Sequence, residues 1–327
     1  MKLSHLTALS LVCGALLGPA VARAADWPQS GKVIELIVPA PGGGGTGDHI
    51  ARVVAEQLAR RMSIRIVVNN RGGANGNIGA SLAARSAPDG YRLLFSWAGT
   101  LAVNPSLYKN LGFDPRESFE PIGLVADVPN LLVVSKALAV KDLQTFVDYA
   151  KARPGKLNFG STGIGSSMHL AGELFMRETK TVMVHVPYTA PGEATTNLTS
   201  NEIQAMFQLI PGILGQVKGG TVHPLAIMST RRSPVLPDVP TTAESGYPNL
   251  LSSTWFALLA PKGTPDAIVD RLNSELNAVL ASPNVRKQLA EMGATPVGGT
   301  RRELADLMNR EIGKWNMVIQ QAGVQAQ

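Results

Sequence analysis

Pro39-Ala40-Pro41-Gly42-Gly43-Gly44-Gly45-Thr46-Gly47-Asp48 is the first stretch suited to holding a charged group. It follows an apolar run, Val33 to Pro39, and precedes helical spacing at Ile50, Val53, Val54 and Leu58, a face broken only by Gln57. Glycines let peptide N–H groups approach a ligand closely, and Asp48 is placed to cap the helix. A helix start with free N–H groups receives anions. A second stretch of the same kind is Gly160-Ser161-Thr162-Gly163-Ile164-Gly165-Ser166-Ser167-Met168-His169. It follows Leu157 to Phe159 and precedes Leu170, Ala171, Leu174 and Phe175. Four hydroxyls between Ser161 and Ser167 exceed what helix capping requires. Each half of the chain thus offers one helix start to a shared anion.

Other chemistries fit these residues less well. Gly42-x-Gly44-x-x-Gly47 spells a dinucleotide fingerprint, but the second apolar run ends at Asn69-Asn70, where an acid should meet the ribose. Asp48 stands where a phosphate-binding loop needs Lys. Ser166 and Ser167 lack the paired glycines of a nucleophile elbow. His49, His169, His185 and His223 have no metal-ligand spacing, and the carboxylates near the loops are not paired for acid–base work. The expectation is a binding protein, not an enzyme, with no cofactor and no metal.

The elements that must position the two loops alternate between strand and helix. Apolar runs at Val33 to Pro39, Ile64 to Val68, Leu93 to Ser96, Leu131 to Ser135, Leu157 to Gly160, Val182 to Tyr188, Ala205 to Gln208, Leu225 to Ser229 and Phe256 to Ala260 predict strands. Helical patterns lie between many of them, so largely parallel sheets follow. Thr264-Pro265, Ser282-Pro283 and Thr300-Arg301-Arg302-Glu303 read as starts of three C-terminal helices. The last of these helices presents Leu304, Leu307, Met308, Ile312, Trp315 and Ile319 on one face.

Met1-Lys2, the apolar run Leu6 to Val21 and Ala22-Arg23-Ala24 have the order of a secretory signal, expected to span residues 1–25. Cys13, the single cysteine, falls inside it, so the mature chain has no thiol chemistry and no disulfide. The formal charge is +6, and without Lys2 and Arg23 it is 28 basic against 24 acidic groups, or +4. That charge is spread out rather than gathered into a stripe, which argues against nucleic acid. About 300 mature residues call for two domains.

The two loops, in this order with further stretches, resemble the Bug-type (TctC-like) receptors of the tripartite tricarboxylate transporter system. The stretches are Asp48-His49-Ile50-Ala51-Arg52, Asn70-Arg71-Gly72-Gly73-Ala74-Asn75-Gly76-Asn77-Ile78-Gly79, Ala87-Pro88-Asp89-Gly90-Tyr91, Asn104-Pro105-Ser106-Leu107-Tyr108, His185-Val186-Pro187-Tyr188 and Arg232-Ser233-Pro234-Val235-Leu236-Pro237-Asp238-Val239-Pro240-Thr241. Leu258 to Pro265 and Pro296 to Thr300 complete the series. The resemblance implies an α/β, two-domain periplasmic binding protein of the type II, hinge-closing kind, with parallel-rich sheets flanked by helices. The expected division is 26–126 plus 249–327 for domain 1 and 127–248 for domain 2. It further implies a small organic anion as ligand: a di- or tricarboxylate, an amino acid or an aromatic acid; the chain itself is expected to be a periplasmic monomer. Its partner is a membrane permease of the tripartite type. The alternative partner is a membrane sensor kinase.

Carried onto this chain, the resemblance implies that Gly43, Gly44 and Thr46 in the first loop, and Ser161, Thr162, Gly163 and Ser166 in the second, hold a ligand carboxylate. Asp48, Trp97, His169, Tyr188 and Gln208 complete the expected site. The chain departs from the family pattern at several positions. An extra glycine stands at Gly45 or Gly47, Ala40 replaces a frequent aromatic, and Trp97 stands where a small residue is usual. Gln204 and Gln208 stand where the family often has Asp, and Leu209 where Asn is common, which disfavours an amino-acid ligand.

Overall fold

The computed structural model describes residues 27–322 apart from Gly44. The expected leader therefore lies outside the described residues, as does the ligand role expected of Gly44. Val33–Val38 (β1), Arg65–Asn70 (β2) and Arg92–Trp97 (β3) pair in parallel, with β1 in the middle. Thr46–Met62 (α1) and Asn77–Ala84 (α2) make the crossovers between them. In α1, Ile50, Ala51, Val54, Ala55, Leu58 and Met62 recur at helical spacing and are buried. The helix ends at Ser63, which turns left-handed at φ 52° and returns its amide to the carbonyls of Ala59 and Arg60. After β3, a π-helical segment at Gly99–Val103 runs into the short helix Asn104–Leu107 (α3).

The next strand joins two sheets. Phe119–Ser135 (β4) was expected only at its far end, Leu131 to Ser135. Pro121, Gly123, Asp127 and Pro129 interrupt the apolar pattern in its first part; register irregularities at Pro121/Gly123 and Leu124/Ala126 accommodate the first two, while Asp127 and Pro129 pair regularly with Trp255 and Ser253. That first part pairs antiparallel with Ser253–Pro261 (β9), which lies between it and β3. The second part pairs antiparallel with Ala205–Leu209 (β7) and Val222–Ile227 (β8). Asn158–Ser161 (β5) continues the second sheet in parallel with β7 and with Val184–Pro187 (β6). Leu143–Lys151 (α4), Ser167–Thr179 (α5), Pro191–Thr199 (α6) and Ile210–Lys218 (α7) cover it. Asp266–Ala281 (α8), Pro283–Glu291 (α9), the two-residue strand Thr295–Pro296 (β10) and Arg301–Ala322 (α10) return to the first sheet.

Each sheet carries apolar core on both faces. On the first, Leu36, Phe95, Ile50 and Leu272 gather on one face, and Leu94, Ala257, Leu304 and Met308 on the other. On the second, Phe159, Phe175 and Phe207 occupy one face and Leu131, Met206 and Ile210 the other. A small cluster of Val103, Leu107, Leu170 and Ile319 bridges α5 to the first sheet's helices. The capping box forms as expected: the Thr300 amide donates to Glu303 Oε2 at 2.7 Å, and the Glu303 amide donates to Thr300 Oγ1 at 3.2 Å. Thr264 does not cap α8. Its hydroxyl donates to the Pro261 carbonyl at 2.7 Å, and Pro265 takes the N-cap position instead of the first helical one.

Strand register decides where the loops lie. Trp97 at the end of β3 and Ala126 of β4 both pair with Phe256, so the C-terminal ends of β1–β3 reach the level at which β4 leaves the first sheet. In the second sheet, Asn130 pairs with Leu209, and Gly160 with Met206. The C-terminal ends of β5 and β7 therefore face the same junction from the other side. Both glycine-rich loops leave strands at these facing ends.

One glycine in α2 is fixed by backbone rather than by conformation. A Cβ at Gly79 would stand 2.6 Å from the Arg71 carbonyl oxygen and 2.9 Å from Pro39 Cα, neither of which can swing aside. Gly79→Ala is expected to lower the free energy of unfolding by about 1–3 kcal/mol, the usual cost of overpacking, as read from the urea midpoint.

Candidate functional site

The first loop is organised by Asp48. Its side chain has no exposed surface, whereas its partner Arg52 is half exposed. Asp48 Oδ2 accepts from the Gly43 amide at 3.0 Å and from Arg52 Nε at 3.0 Å, and Oδ1 accepts from Asn70 Nδ2 at 2.8 Å. Arg52 Nη2 also donates to Asn70 Oδ1 at 3.0 Å, closing the ring. Burial alone would raise the Asp48 pKa, but the hydrogen bonds from Arg52, Asn70 and Gly43, with the Arg52 charge, hold it below its ordinary 3.8. Asp48 is not the helix cap that the sequence suggested. Gly45 is the N-cap residue, without a side-chain bond, and Asp48 sits in the first turn and reaches back to Gly43. The amides of Thr46, Gly47 and Asp48 precede the first intrahelical acceptor and are left to face the loop. Thr46 is buried, and Gly43 is open, with nothing within 4 Å of where a Cβ would stand.

The second loop is tied by its own side chains. Ser161 is fully buried. Its Oγ accepts from the Gly163 amide at 3.1 Å, lies 3.1 Å from the Gly163 carbonyl oxygen, and meets His185 Nε2 at 2.6 Å. Ser166 is the N-cap of α5, its Oγ accepting from the His169 amide at 3.2 Å. The Gly165 amide donates to His169 Nδ1 at 3.2 Å, and His169 Nε2 lies 3.5 Å from Glu173 Oε1. Thr162 Oγ1 lies 3.6 Å from Met168 Sδ. Ser161, Gly163, Ser166 and His169 are thus brought into one bonded turn, and the amides of Ser167 and Met168 in the first turn of α5 have no intrahelical acceptor.

His185 is the residue that sequence reasoning missed. It appeared as a histidine without metal spacing and as the start of His185-Val186-Pro187-Tyr188. In the parallel ladder it pairs with Phe159, and the two-residue strand period puts Ser161 on the face that Phe159 occupies. The His185 and His169 rings are 4.1 Å apart, and Phe159 lies 5.0 Å from His185. Burial, and then the neighbouring His169, push the His185 pKa from 6.5 down to about 4, against the opposing pull of Glu173. A second missed group is the amide network under the first loop. Asn75 Nδ2 donates to Asn104 Oδ1 at 2.7 Å, while Asn104 Nδ2 donates to Asn77 Oδ1 at 2.5 Å and lies 3.0 Å from the Asn75 carbonyl oxygen. Ala74 and Asn75, at φ 46° and 52°, hold backbone conformations that the residue types do not announce.

The remaining expected residues divide. Trp97 packs on Phe256, ring centroids 6.1 Å apart, and stands against Gly47, whose added Cβ would come 3.0 Å from a ring carbon. It therefore walls the first loop. Tyr188 donates its amide to the Ser161 carbonyl at 2.9 Å, and its hydroxyl accepts from Asn197 Nδ2 at 2.9 Å. Gln208 is buried near the end of β7, with Oε1 accepting from the Leu209 amide at 2.9 Å. Gln204 lies before the start of the same strand, accepting from the Asn158 amide at 2.9 Å, at the edge remote from the gap. A groove of about 1000 Å³ runs between α5 and α10 and includes Asp127, Glu173, Trp255, Glu311 and Trp315, but none of the expected ligand residues.

Two pH responses follow. Asp48 contributes stability that is present above its ordinary 3.8 and is lost as pH falls through its lower folded pKa. Asp48→Asn should cost about 1–3 kcal/mol at pH 7, for a hydrogen-bonded charge, and the loss should shrink as pH falls below the ordinary 3.8 in acid-unfolding titrations. His185 acts in a different window. Its folded pKa of about 4 lies below 6.5, so the unfolded chain binds the extra proton between these values and stability falls as pH drops from 6.5 to 4. His185→Phe should flatten the fall of thermal midpoint across that interval.

Residues 50–324 match the family described as TctC, tripartite tricarboxylate transporter family receptor. Protein BugT of Bordetella pertussis is 37% identical, over 99% of this chain and 99% of its own length. The structure of R. palustris Rpa4515 with adipate is 35% identical, covers 92% of this chain and 99% of its own, and superposes with a TM-score of 0.86. MatC (Rpa3494) from Rhodopseudomonas palustris with bound malate is 31% identical, covers 89% and 99%, and superposes with a TM-score of 0.80. With two sheets joined at β4, two glycine-rich helix starts at facing strand ends and these relatives, the chain belongs to the tripartite tricarboxylate transporter receptor (TctC) family of periplasmic solute-binding proteins, and has their two-domain α/β fold.

Proposed function

We propose that this protein captures a small organic carboxylate, a di- or tricarboxylate or an aromatic acid, in the gap between its two lobes and delivers it to a membrane permease of the tripartite type. The lobes are residues 26–126 with 249–327, and residues 127–248, and the mature protein works as a periplasmic monomer after loss of residues 1–25. One observation carries the reading: each sheet ends, on the side facing the junction, in a glycine-rich loop whose helix start leaves amides without intrahelical acceptors. The relatives bound to adipate and to malate point to the same ligand class.

In this reading the anion is received by the first-turn amides of α1, Thr46 to Asp48, and of α5, Ser167 and Met168, which have no intrahelical acceptor, with Trp97 as wall. The side-chain oxygens nearest these amides are already engaged: Asp48 by three donors, Ser161 by Gly163 and His185. Four charge-assisted hydrogen bonds would gross about 6–12 kcal/mol. Ordering and closure offset part of this, and a net near −8 kcal/mol corresponds to a Kd of about 1 μM. That strength suits capture followed by release.

The Ser161–His185 contact has the length of a hydrolase's nucleophile–base pair, yet binding without turnover fits it better. Ser161 is fully buried, and an imidazole with a pKa of about 4 is a weak base at neutral pH. Long incubation with a bound acid should return it chemically unchanged.

Thermal-shift screening of the mature protein against carboxylic acids, adipate and malate among them, tests the reading. A binding acid at about 100 times its Kd should add about 2.7 kcal/mol, a rise of roughly 5–10 °C. The matching diamides and diesters should give none. Stabilisation by neutral sugars with no response to any acid would refute the ligand class.

A further inference from the structure

We propose that His185 is a positioning residue for ligand capture: as the tautomer carrying its proton on Nε2 it fixes Ser161, and through Ser161 the Gly163 turn, so that the start of α5 is held ready for the anion. This rests on the carboxylate-binding function proposed above and assigns the part of that site that sets the second loop.

The assignment comes from counting protons at one oxygen. Ser161 Oγ has one hydrogen and two lone pairs. The Gly163 amide takes one lone pair, at 3.1 Å. The Gly163 carbonyl, also at 3.1 Å, can only accept, so it takes the hydroxyl proton. His185 Nε2 at 2.6 Å is then left with the second lone pair and must donate. With the proton on Nδ1 instead, Ser161 would turn its hydrogen to His185 and the bond to the Gly163 carbonyl would be lost. The Nε2–H form keeps one hydrogen bond more in a fully buried place, where each counts.

The neighbouring ring is fixed by the same logic. The Gly165 amide donates to His169 Nδ1, so His169 keeps its proton on Nε2, toward Glu173. The two imidazoles then clamp two successive turns of one loop, Gly163 through Ser161 and Gly165 directly. Phe159 lies 6.4 Å from His169, its ring within 6° of parallel, and 5.0 Å from His185, so packing holds both rings while their nitrogens do the aiming. In this arrangement Ser161 has no hydrogen left for a ligand. Its contribution is the shape of the turn, and His185 completes it without touching the solute.

The test has one arm without ligand and one with it. In the free protein, long-range ¹H–¹⁵N correlation should show His185 as the Nε2–H tautomer at pH 7, and the Gly163 amide should be protected from hydrogen exchange. His185→Phe keeps ring volume but removes the donor. It should speed Gly163 exchange by about tenfold or more, the equivalent of one hydrogen bond, with the Phe207 amide in the core unchanged. His185→Gln, whose amide can donate to Ser161, should restore protection. The Nδ1–H tautomer, or a His185→Phe protein with normal Gly163 exchange, overturns the proposal. With adipate and malate as probes, His185→Phe should weaken binding about tenfold, and Ser161→Ala with His185→Phe should be no worse than Ser161→Ala alone. Additive losses, or unchanged affinity in His185→Phe, also overturn it. If the unmutated protein binds neither acid nor any other carboxylate, the function proposed above fails, while the ligand-free arm still decides whether His185 holds the loop.

Discussion

Asn130 sits, fully buried, where β4 leaves one sheet and enters the other, and the two-lobed arrangement depends on how its polar groups are met. At that point the strand exchanges β9 for β7 and β8, and any peptide group caught between ladders would be buried without a partner. None of the groups on Asn130 is. Its amide donates to the Ser252 carbonyl and its carbonyl accepts from the Met228 amide, each at 2.9 Å or less. Its side chain donates to the Phe207 carbonyl at 2.7 Å and accepts from Ser252 Oγ at 3.0 Å. One residue thereby connects β4 to β7, to the segment after β8 and to the segment before β9. The strand ends that carry both loops take their level from this point.

The loops themselves follow one division of labour. Asp48 and Ser161 spend their hydrogen bonds on the protein, the Gly43 and Gly163 amides included, and the first-turn amides of α1 and α5 are left without intrahelical acceptors. Asp48 gathers Gly43, Arg52 and Asn70, and Ser161 gathers Gly163 and His185. An unpaired carboxylate at Asp48 would repel an anion of the kind proposed above. Neutralised by Arg52 and aimed at Gly43, it shapes the loop instead. In the proposed function, amides held in this way need little reordering when a ligand arrives, which is the advantage of a preorganised polar site.

Much of this was legible in the sequence. Strand runs such as Val33 to Pro39 and Ala205 to Gln208, the helix stripe from Ile50 to Leu58 and the Thr300–Glu303 box fall where their patterns indicate, because burial and capping are local signals. The first half of β4 was not legible, because Pro121, Gly123, Asp127 and Pro129 break its alternation, and the pairing with β9 that carries it through two shifts of register joins segments far apart in the chain. Gln204 and Gln208 look equivalent as residue types, yet they lie at opposite ends of one strand, and only Gln208 reaches the junction side. His185 escaped notice for a related reason: its meaning comes from lying opposite Phe159 in the ladder, a pairing between segments far apart in the chain.

The groove between α5 and α10 shares its walls between the lobes: Leu170, Glu173 and Leu174 belong to one side, Leu307, Trp315 and Val318 to the other. β4 runs through both sheets, and the segment before β9, tied at Ser252 to Asn130, crosses beside it. Leu170 also belongs to the cluster with Val103, Leu107 and Ile319, so apolar packing joins the helices of the two sheets along this groove, at about 25 cal/mol for each Å² kept from water. Parting those helices would wet apolar surface, so the two sheets are held together by packing as well as by the chain that crosses between them.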